Sequence, residues 1–233
     1  MIDGLRGVVR LLLIIVLLMG FGIVRGAHGQ ADTDALLRQF IAEPNYQAAV
    51  LANARKQAAA LPDHCADVIS ADGKYDIEVV EQVAFEKRND RFFPSKGAWV
   101  EHLEADVCGA RRRLNILSIA KGRGSVDILP LYRGTTRGDA ILQRDATQSV
   151  ITYASLAASR AGGADCNSAV IVDTRFLALD DKPQPQVMPG RSPYAWHEIW
   201  TIDVCGKAIE AAIDFVPDPS GTGFDVHSPG AKK

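Results

Sequence analysis

Histidines and carboxylates that share one face of a predicted strand are the first candidates for chemistry in this chain. In the stretch AWVEHLEADVCG, His102, Glu104 and Asp106 alternate along the chain, and alternation places them on one face of a strand. Such a row offers metal ligands, but it is also the ordinary pattern of a solvated strand face. The second half of the chain keeps only Asp203 of the three, so we favour the solvated face and predict no metal site.

Glu101 and Glu198 are the second candidates, because each follows a tryptophan by two residues in equivalent phrases. Two carboxylates related by a pseudo-twofold axis could act in acid–base chemistry. A rim position, or a carboxylate paired with an arginine, is the more ordinary outcome, since a buried glutamate requires a partner. The chain has no nucleophile elbow, zinc-protease motif, phosphate loop or dinucleotide-binding motif. We therefore predict no catalytic residue, no cofactor and no enzyme.

Cysteine usage indicates an oxidising compartment. The chain has four cysteines, and an even number in an exported protein predicts two disulfides. A zinc site would need close pairs, whereas the nearest cysteines are 39 residues apart. Pairing within each half, Cys65 with Cys108 and Cys166 with Cys205, is the one connectivity that repeats identically.

The N-terminal segment, residues 1–29, has the order of a secretory signal peptide: basic residues, an apolar run and small residues. Cleavage is expected before Gln30 or Asp32. The alternative is an uncleaved anchor, although the run of 14 apolar residues from Leu11 to Val24 is shorter than the roughly 20 that span a membrane. We predict a periplasmic or secreted protein that meets a membrane only if this segment is retained.

A repeated phrase indicates an internal duplication. AWVEHLEADVCG ends at Gly109 and YAWHEIWTIDVCG ends at Gly206, and DALL at 34–37 corresponds to DAIL at 139–142. Helical spacing precedes each phrase and alternation runs through it. We predict an α+β fold of two tandem homologous units, at 32–137 and 138–230. Each is an N-terminal helix or helix pair followed by an antiparallel sheet, with one disulfide per unit.

The architecture and charge limit the classes of function. In architecture alone, two such tandem units resemble the secreted inhibitors of β-lactamase, and that resemblance implies a fold without a function. The net charge of −2 gives no footprint for nucleic acid. We predict an exported, disulfide-stabilised, non-enzymatic protein that binds another protein or envelope polymer. The alternative is a structural or assembly factor of the cell envelope, with an enzyme third.

The segments before each tryptophan strand differ most between the halves, and we predict them to be loops, at 88–97 and 180–193. Arg91, Phe92 and Phe93 form a candidate partner-binding set, because aromatic residues and arginine dominate binding hot spots. Phenylalanines that tuck under their own sheet are the plain alternative. The arginines at 111–113 offer a patch for an acidic partner, although a solvated hairpin face is the favoured interpretation.

Overall fold

The structure is a computed structural model that describes residues 26–61, 68–162, 168–188 and 191–230. The first unit contains helices α1 (Gly26–Ile41) and α2 (Pro44–Ala59), then strands β1 (Val68–Arg88), β2 (Arg91–Val107), β3 (Ala110–Gly122) and β4 (Ser125–Leu131). The second unit contains α3 (Ala140–Arg160), then β5 (Ala169–Pro183), β6 (Tyr194–Val204), β7 (Lys207–Asp218) and β8 (Gly221–His227). Each set of four strands forms an antiparallel sheet in chain order.

The predicted fold class, an α+β fold of helix followed by sheet in each unit, is wrong. Among the residues that the structure describes, strands hold 54% and helices 26%, so this is a mainly β protein. The error lies in segments taken for loops. Residues 91–97 belong to β2, and residues 180–183 belong to β5. Charged residues on exposed strand faces obscured the alternation, and two-residue turns let the strands run much longer than the pattern indicated.

The predicted disulfides fall partly outside the described residues. Cys65 and Cys166 are not among them, so the described part of the chain contains no complete bridge. Cys108 and Cys205 each directly follow a tryptophan strand, and neither is a free thiol. The pairing therefore stays a prediction.

The repeated Asp-Val-Cys-Gly phrase is a hairpin turn. Both central residues of the first turn, Cys108 and Gly109, have positive φ, at 51° and 76°, as a type I′ turn requires. The carboxylate of Asp106 accepts the N–H of Gly109 at 2.7 Å, and the equivalent pair in the second unit is Asp203 with Gly206, at 2.9 Å. Aspartate recurs in the phrase because it stabilises this turn.

The helix that packs on each sheet also repeats, but not at the predicted place. In α3 the buried positions include Val150, Ala154 and Ala158. In α2 they include Val50, Ala54 and Ala58, at a constant offset of 100. Because α3 corresponds to α2 and not to α1, the proposed match of DALL with DAIL is wrong. Alanine at two of the three places lets each helix lie close to its sheet.

We call the sheet face that packs on the helices the inner face and the opposite one the outer face. The inner face carries Trp99 in the first unit and Trp196 in the second, 0% and 7% exposed. The two tryptophans occupy equivalent places in β2 and β6, as the repeated phrase predicts. Among the described residues, each inner face forms one hydrophobic core with the helices that pack on it. A third, smaller cluster of Ala98, Val100 and Leu117 includes the outer face of the first sheet.

The connection between the units, residues 132–139, begins inside the second core. The ring centroid of Tyr132 lies 5.4 Å from that of Trp200 in an edge-on contact. The Tyr132 hydroxyl is 2.7 Å from the hydroxyl of Thr147, and the backbone N–H of Tyr132 donates to the side chain of Gln143 at 2.9 Å. The end of the first unit thus supplies an aromatic side chain to the core of the second.

The same connection then pairs with the edge of β5. Thr174 donates its backbone N–H to the carbonyl of Arg133 at 3.0 Å and accepts the N–H of Thr135 at 2.8 Å. Gly134 lies between them and forms a parallel bridge with Thr174. These backbone bonds hold the linker against the second sheet as a short added strand.

The N-terminal prediction falls mainly outside the described residues, because residues 1–25 are not among them. Helix α1 begins at Gly26 and therefore contains both predicted cleavage positions. In the part of the chain that the structure describes, no helix combines the length and apolar character needed to cross a membrane. Cleavage and export stay predictions.

Candidate functional site

The predicted partner-binding residues Arg91, Phe92 and Phe93 lie at the start of β2, immediately after the β1–β2 turn. The Phe92 ring is 43% exposed. Phe93 packs partly against the first core, and the Arg91 guanidinium lies 5.3 Å from its ring centroid. The structure therefore separates the three residues: Phe93 is a packing residue, and Phe92 presents its ring to solvent.

Arg91 has an intramolecular partner. Its guanidinium donates to the carboxylate of Glu43, the residue before α2, at 2.6 Å. In the second unit Arg191 donates to Asp139, the N-cap residue of α3, at 2.8 Å. Each unit thus joins the connection between its first two strands to the start of its packing helix through an arginine and a carboxylate. An exposed pair of this kind contributes little stability, so its effect is to orient the connection.

The two candidate glutamates are fully buried on the inner faces, which the favoured sequence interpretation missed. Glu101 is 1% exposed. One of its carboxylate oxygens accepts the hydroxyl of Tyr46 and the indole N–H of Trp99, the latter at 3.2 Å. Tyr46 also lies 2.7 Å from the hydroxyl of Ser118. The other oxygen, Oε2, is buried without a hydrogen-bond partner among the described residues.

Glu198 is bound by a different set of donors. Its Oε1 accepts the indole N–H of Trp196 at 2.8 Å and the backbone N–H of Arg137 at 2.8 Å. Its Oε2 accepts the indole N–H of Trp200 at 2.7 Å. Both oxygens of this 0% exposed carboxylate are therefore hydrogen-bonded, as burial of a charged group requires.

The two networks differ in their hydrogen-bond donors, and the loss of one donor is matched by the gain of another. The tryptophan and the glutamate are common to both units, whereas Tyr46 and Ser118 of the first unit correspond to Ala146 and Phe215 of the second. The lost hydroxyl donor is replaced by Trp200, which stands where the first unit has a leucine. One buried carboxylate per unit is kept while its donors change. The signal in the sequence was the placement of each glutamate on the predicted tryptophan face.

Burial gives Glu101 a pH-dependent effect on stability. Desolvation raises the pKa of its carboxyl, with the hydrogen bonds from Tyr46 and Trp99 opposing the shift. Burial and the neighbouring Glu101 also hold the pKa of Tyr46 above its ordinary range. Between the ordinary glutamate pKa and the raised one, the folded protein binds more protons than the unfolded chain. The free energy of unfolding therefore falls as pH rises through this window.

We expect Glu101→Gln to flatten that decline, because the amide does not ionise. Urea unfolding between pH 4 and pH 8 measures it: the variant gains stability relative to the original chain as pH rises. Glu104→Gln, on the outer face, is the control and should leave the slope as it is. Parallel pH profiles for the original chain and Glu101→Gln would refute this origin of the pH dependence.

His102, Glu104 and Asp106, the predicted row on the outer face of β2, each interact with a different group. His102 lies 2.7 Å from the side-chain oxygen of Asn115 and 3.5 Å from the carboxylate of Glu78. Glu104 forms long ion pairs with arginines of β3, at 3.7 and 3.9 Å, and Asp106 holds the turn. In the described residues, no group of three or more histidines, cysteines or carboxylates has the arrangement to hold a metal ion.

A polar cluster lies on the outer face of the second sheet. His197 bridges two carboxylates, with Nδ1 at 2.7 Å from Asp214 and Nε2 at 2.7 Å from Asp180. The hydrogen bond to Asp214 raises the pKa of His197, burial opposes the shift, and Asp180 adds to it. His227 lies 3.2 Å from the second oxygen of Asp214. In the first unit the places of His197 and Asp214 belong to Val100 and Leu117, so the outer faces have diverged.

The inner-face carboxylates, Glu101 and Glu198, accept hydrogen bonds from indole, hydroxyl and backbone groups of the protein itself. Buried polar networks of this kind specify how a core packs. The surfaces, by contrast, differ between the units in charge, length of hairpin and exposed apolar groups. Comparison with known proteins adds no assignment: no family model matches the chain, and no curated protein or solved structure is similar to it.

Proposed function

We propose that this chain is an exported, disulfide-stabilised, non-enzymatic protein that binds another envelope or extracellular macromolecule through the β1–β2 hairpin. The observation that carries the proposal is the exposed ring of Phe92, 43% accessible, on a hairpin arm that projects from the sheet. The regular pairing of β2 with β3 begins at Ala98 and Ile119. Residues 91–97 therefore pair with β1 alone.

This arm has the rigidity that a recognition element needs. Its turn consists of Asn89 and Asp90, both at positive φ, and a short turn of this type fixes the register of the strands. Gly97, at φ 102°, marks its base. A Cβ there would lie 2.5 Å from the carbonyl oxygen of Gln82, so only glycine permits this close approach of the strands. The Phe93 ring packs near Gly124 of the adjacent hairpin.

The second unit treats the same connection differently. Its β5–β6 pairing extends to Pro183 and Tyr194, and a longer connection, residues 184–193, joins the two strands. The inner faces keep their tryptophan and glutamate, while the first unit alone has the projecting arm. Elements that vary on a common scaffold are the usual carriers of recognition, which supports placing the binding surface on the arm.

Separate substitution of the two phenylalanines tests the proposal. Phe92→Ala should leave the melting temperature within about 1 °C and reduce capture of the partner, because an exposed ring contributes binding energy without core packing. Phe93→Ala should lower the melting temperature by several degrees, as about 1–2 kcal/mol of lost packing does in a protein of this size. The measurements are thermal unfolding and affinity capture from envelope extract, followed by binding of the purified captured species.

Leu177→Ala, a matched loss of an apolar side chain that is 46% exposed in the second sheet, is the control and should bind normally. Unchanged capture by Phe92→Ala would refute the arm as the binding surface. Isolation of the protein as a permanent member of a membrane-associated complex would instead favour the assembly factor.

A further inference from the structure

The four edge strands of the two sheets differ in how their edges are protected. Strand β4 contains Pro130, which lacks a backbone donor. Strand β8 has seven residues and includes Gly221 and Gly223. The edge of β5 is occupied by the linker at Thr174. Strand β1 has 21 residues, and no described segment outside its own sheet forms backbone hydrogen bonds with it.

The direction of the backbone groups of β1 follows from the hairpin beside it. The two-residue turn makes Val107 and Ala110 a hydrogen-bonded pair, and such pairs alternate along an antiparallel ladder. The β2 residues that bond to β3 are therefore the partners of Tyr75, Ile77 and Val79 on the other side. These three residues of β1 direct their N–H and C=O groups away from the sheet.

The second unit shows what such an edge binds. Applying the same alternation from its own turn, Thr174 directs its backbone groups outward, and it bonds there with Arg133 and Thr135 of the linker. By register, Thr174 corresponds to Tyr75. The edge that the linker occupies in the second unit is thus the same edge of the duplicated sheet that no described segment covers in the first.

The charge of β1 specifies the kind of segment that fits. Residues 76–86 contain four carboxylates and no cation. Three of them have side chains that are 76%, 69% and 55% exposed, with nearest basic groups at 3.5–3.6 Å: Asp76, Glu78 and Glu81. Val79 and Val80 in the same stretch are 42% and 50% exposed. The linker segment that fills the equivalent edge, RGTTR, is basic.

We propose that residues 75–79 of β1 bind an extended basic segment of a protein partner as a fifth strand, in the parallel orientation that the linker adopts on β5. The backbone groups supply the hydrogen bonds, the carboxylates select lysine and arginine, and the exposed valines contact apolar side chains. This inference rests on the proposed function and specifies its partner as a protein.

A labelled peptide with the linker sequence LYRGTTRG is the probe, and fluorescence anisotropy with the purified protein measures its binding. We expect saturable binding that falls at least about tenfold in Val79→Pro, which removes an outward donor, and in Val79→Lys, which repels the basic peptide. A peptide with both arginines replaced by glutamate should not bind. Val216→Lys, a matched change at a side chain that is 40% exposed in the second sheet, should bind like the original protein.

Circular dichroism shows whether each variant is folded. If Val79→Pro does not fold, Val79→Lys alone tests whether the β1 edge binds the peptide. Absence of peptide binding, or equal binding by Val79→Lys, overturns the edge inference. Partner capture that depends on Phe92 would then still support the proposed function. Conversely, loss of peptide binding in Val79→Lys supports the edge as a binding site. If Phe92→Ala at the same time captures the partner normally, the arm is refuted as the binding surface.

Discussion

Glu198→Ala is expected to lower the free energy of unfolding by about 3–5 kcal/mol. The substitution leaves three buried donors without an acceptor: the indole N–H groups of Trp196 and Trp200 and the backbone N–H of Arg137. A buried donor without a partner costs about 1–3 kcal/mol, and the costs do not add fully. Chemical unfolding measures the loss.

Glu101→Ala is the matched control in the first unit and should cost clearly less. Its main donor, the Tyr46 hydroxyl, already lies 2.7 Å from the Ser118 hydroxyl, which can accept the hydrogen bond when the carboxylate is gone. The indole N–H of Trp99 keeps the Tyr46 hydroxyl as an acceptor, at 3.0 Å. Equal losses from the two substitutions would contradict the different donor sets assigned to the two carboxylates.

Gly134→Val is the second large prediction, and its expected effect is to uncouple the two sheets. Gly134 has φ 101°, and a Cβ there would lie 1.9 Å from the carbonyl oxygen of Thr174, a distance that no packed atoms tolerate. The linker must leave the edge of β5, which breaks the backbone bonds around Thr174. We expect a loss of about 3 kcal/mol or more, as for other side chains forced into strained backbone conformations.

Differential scanning calorimetry measures this change: the single transition expected for the original chain should separate into two, because the units no longer unfold together. Gly138→Ala, in the same linker, is the control. A Cβ there meets the flexible Thr136 hydroxyl at 3.3 Å, and the variant should keep one transition. A single unshifted transition for Gly134→Val would show that the linker does not couple the units.

The sequence predicts the core of the fold better than its extent. Trp99 and Trp196 are buried in equivalent strands because hydrophobic alternation reports which face of a strand is inside. The same alternation was lost in residues 91–97, where charged and aromatic side chains lie on a hairpin arm that pairs with β1 alone. The fold class depends on the fraction of the chain that lies in strands. The local pattern of hydrophobic residues does not determine how many residues each strand contains.

The candidate site was predictable only in part. Arg91, Phe92 and Phe93 were grouped by composition, but only the fold shows that Arg91 reaches Glu43 and that Phe93 packs on the core. Glu101 lay on the correct face in the sequence pattern. Its burial was missed because its donor Tyr46 is 55 residues away in the chain, on a helix whose position against the sheet no local pattern gives.

The position of Tyr132 indicates an order in which the two units fold during synthesis. Chains emerge with the N-terminus first, and units generally fold as they emerge. The first unit can close its core with its own two helices. The second includes Tyr132, which directly follows β4 and is placed only when that strand has joined its sheet. We therefore expect sequential folding, in which the first sheet forms before the core of the second unit is complete.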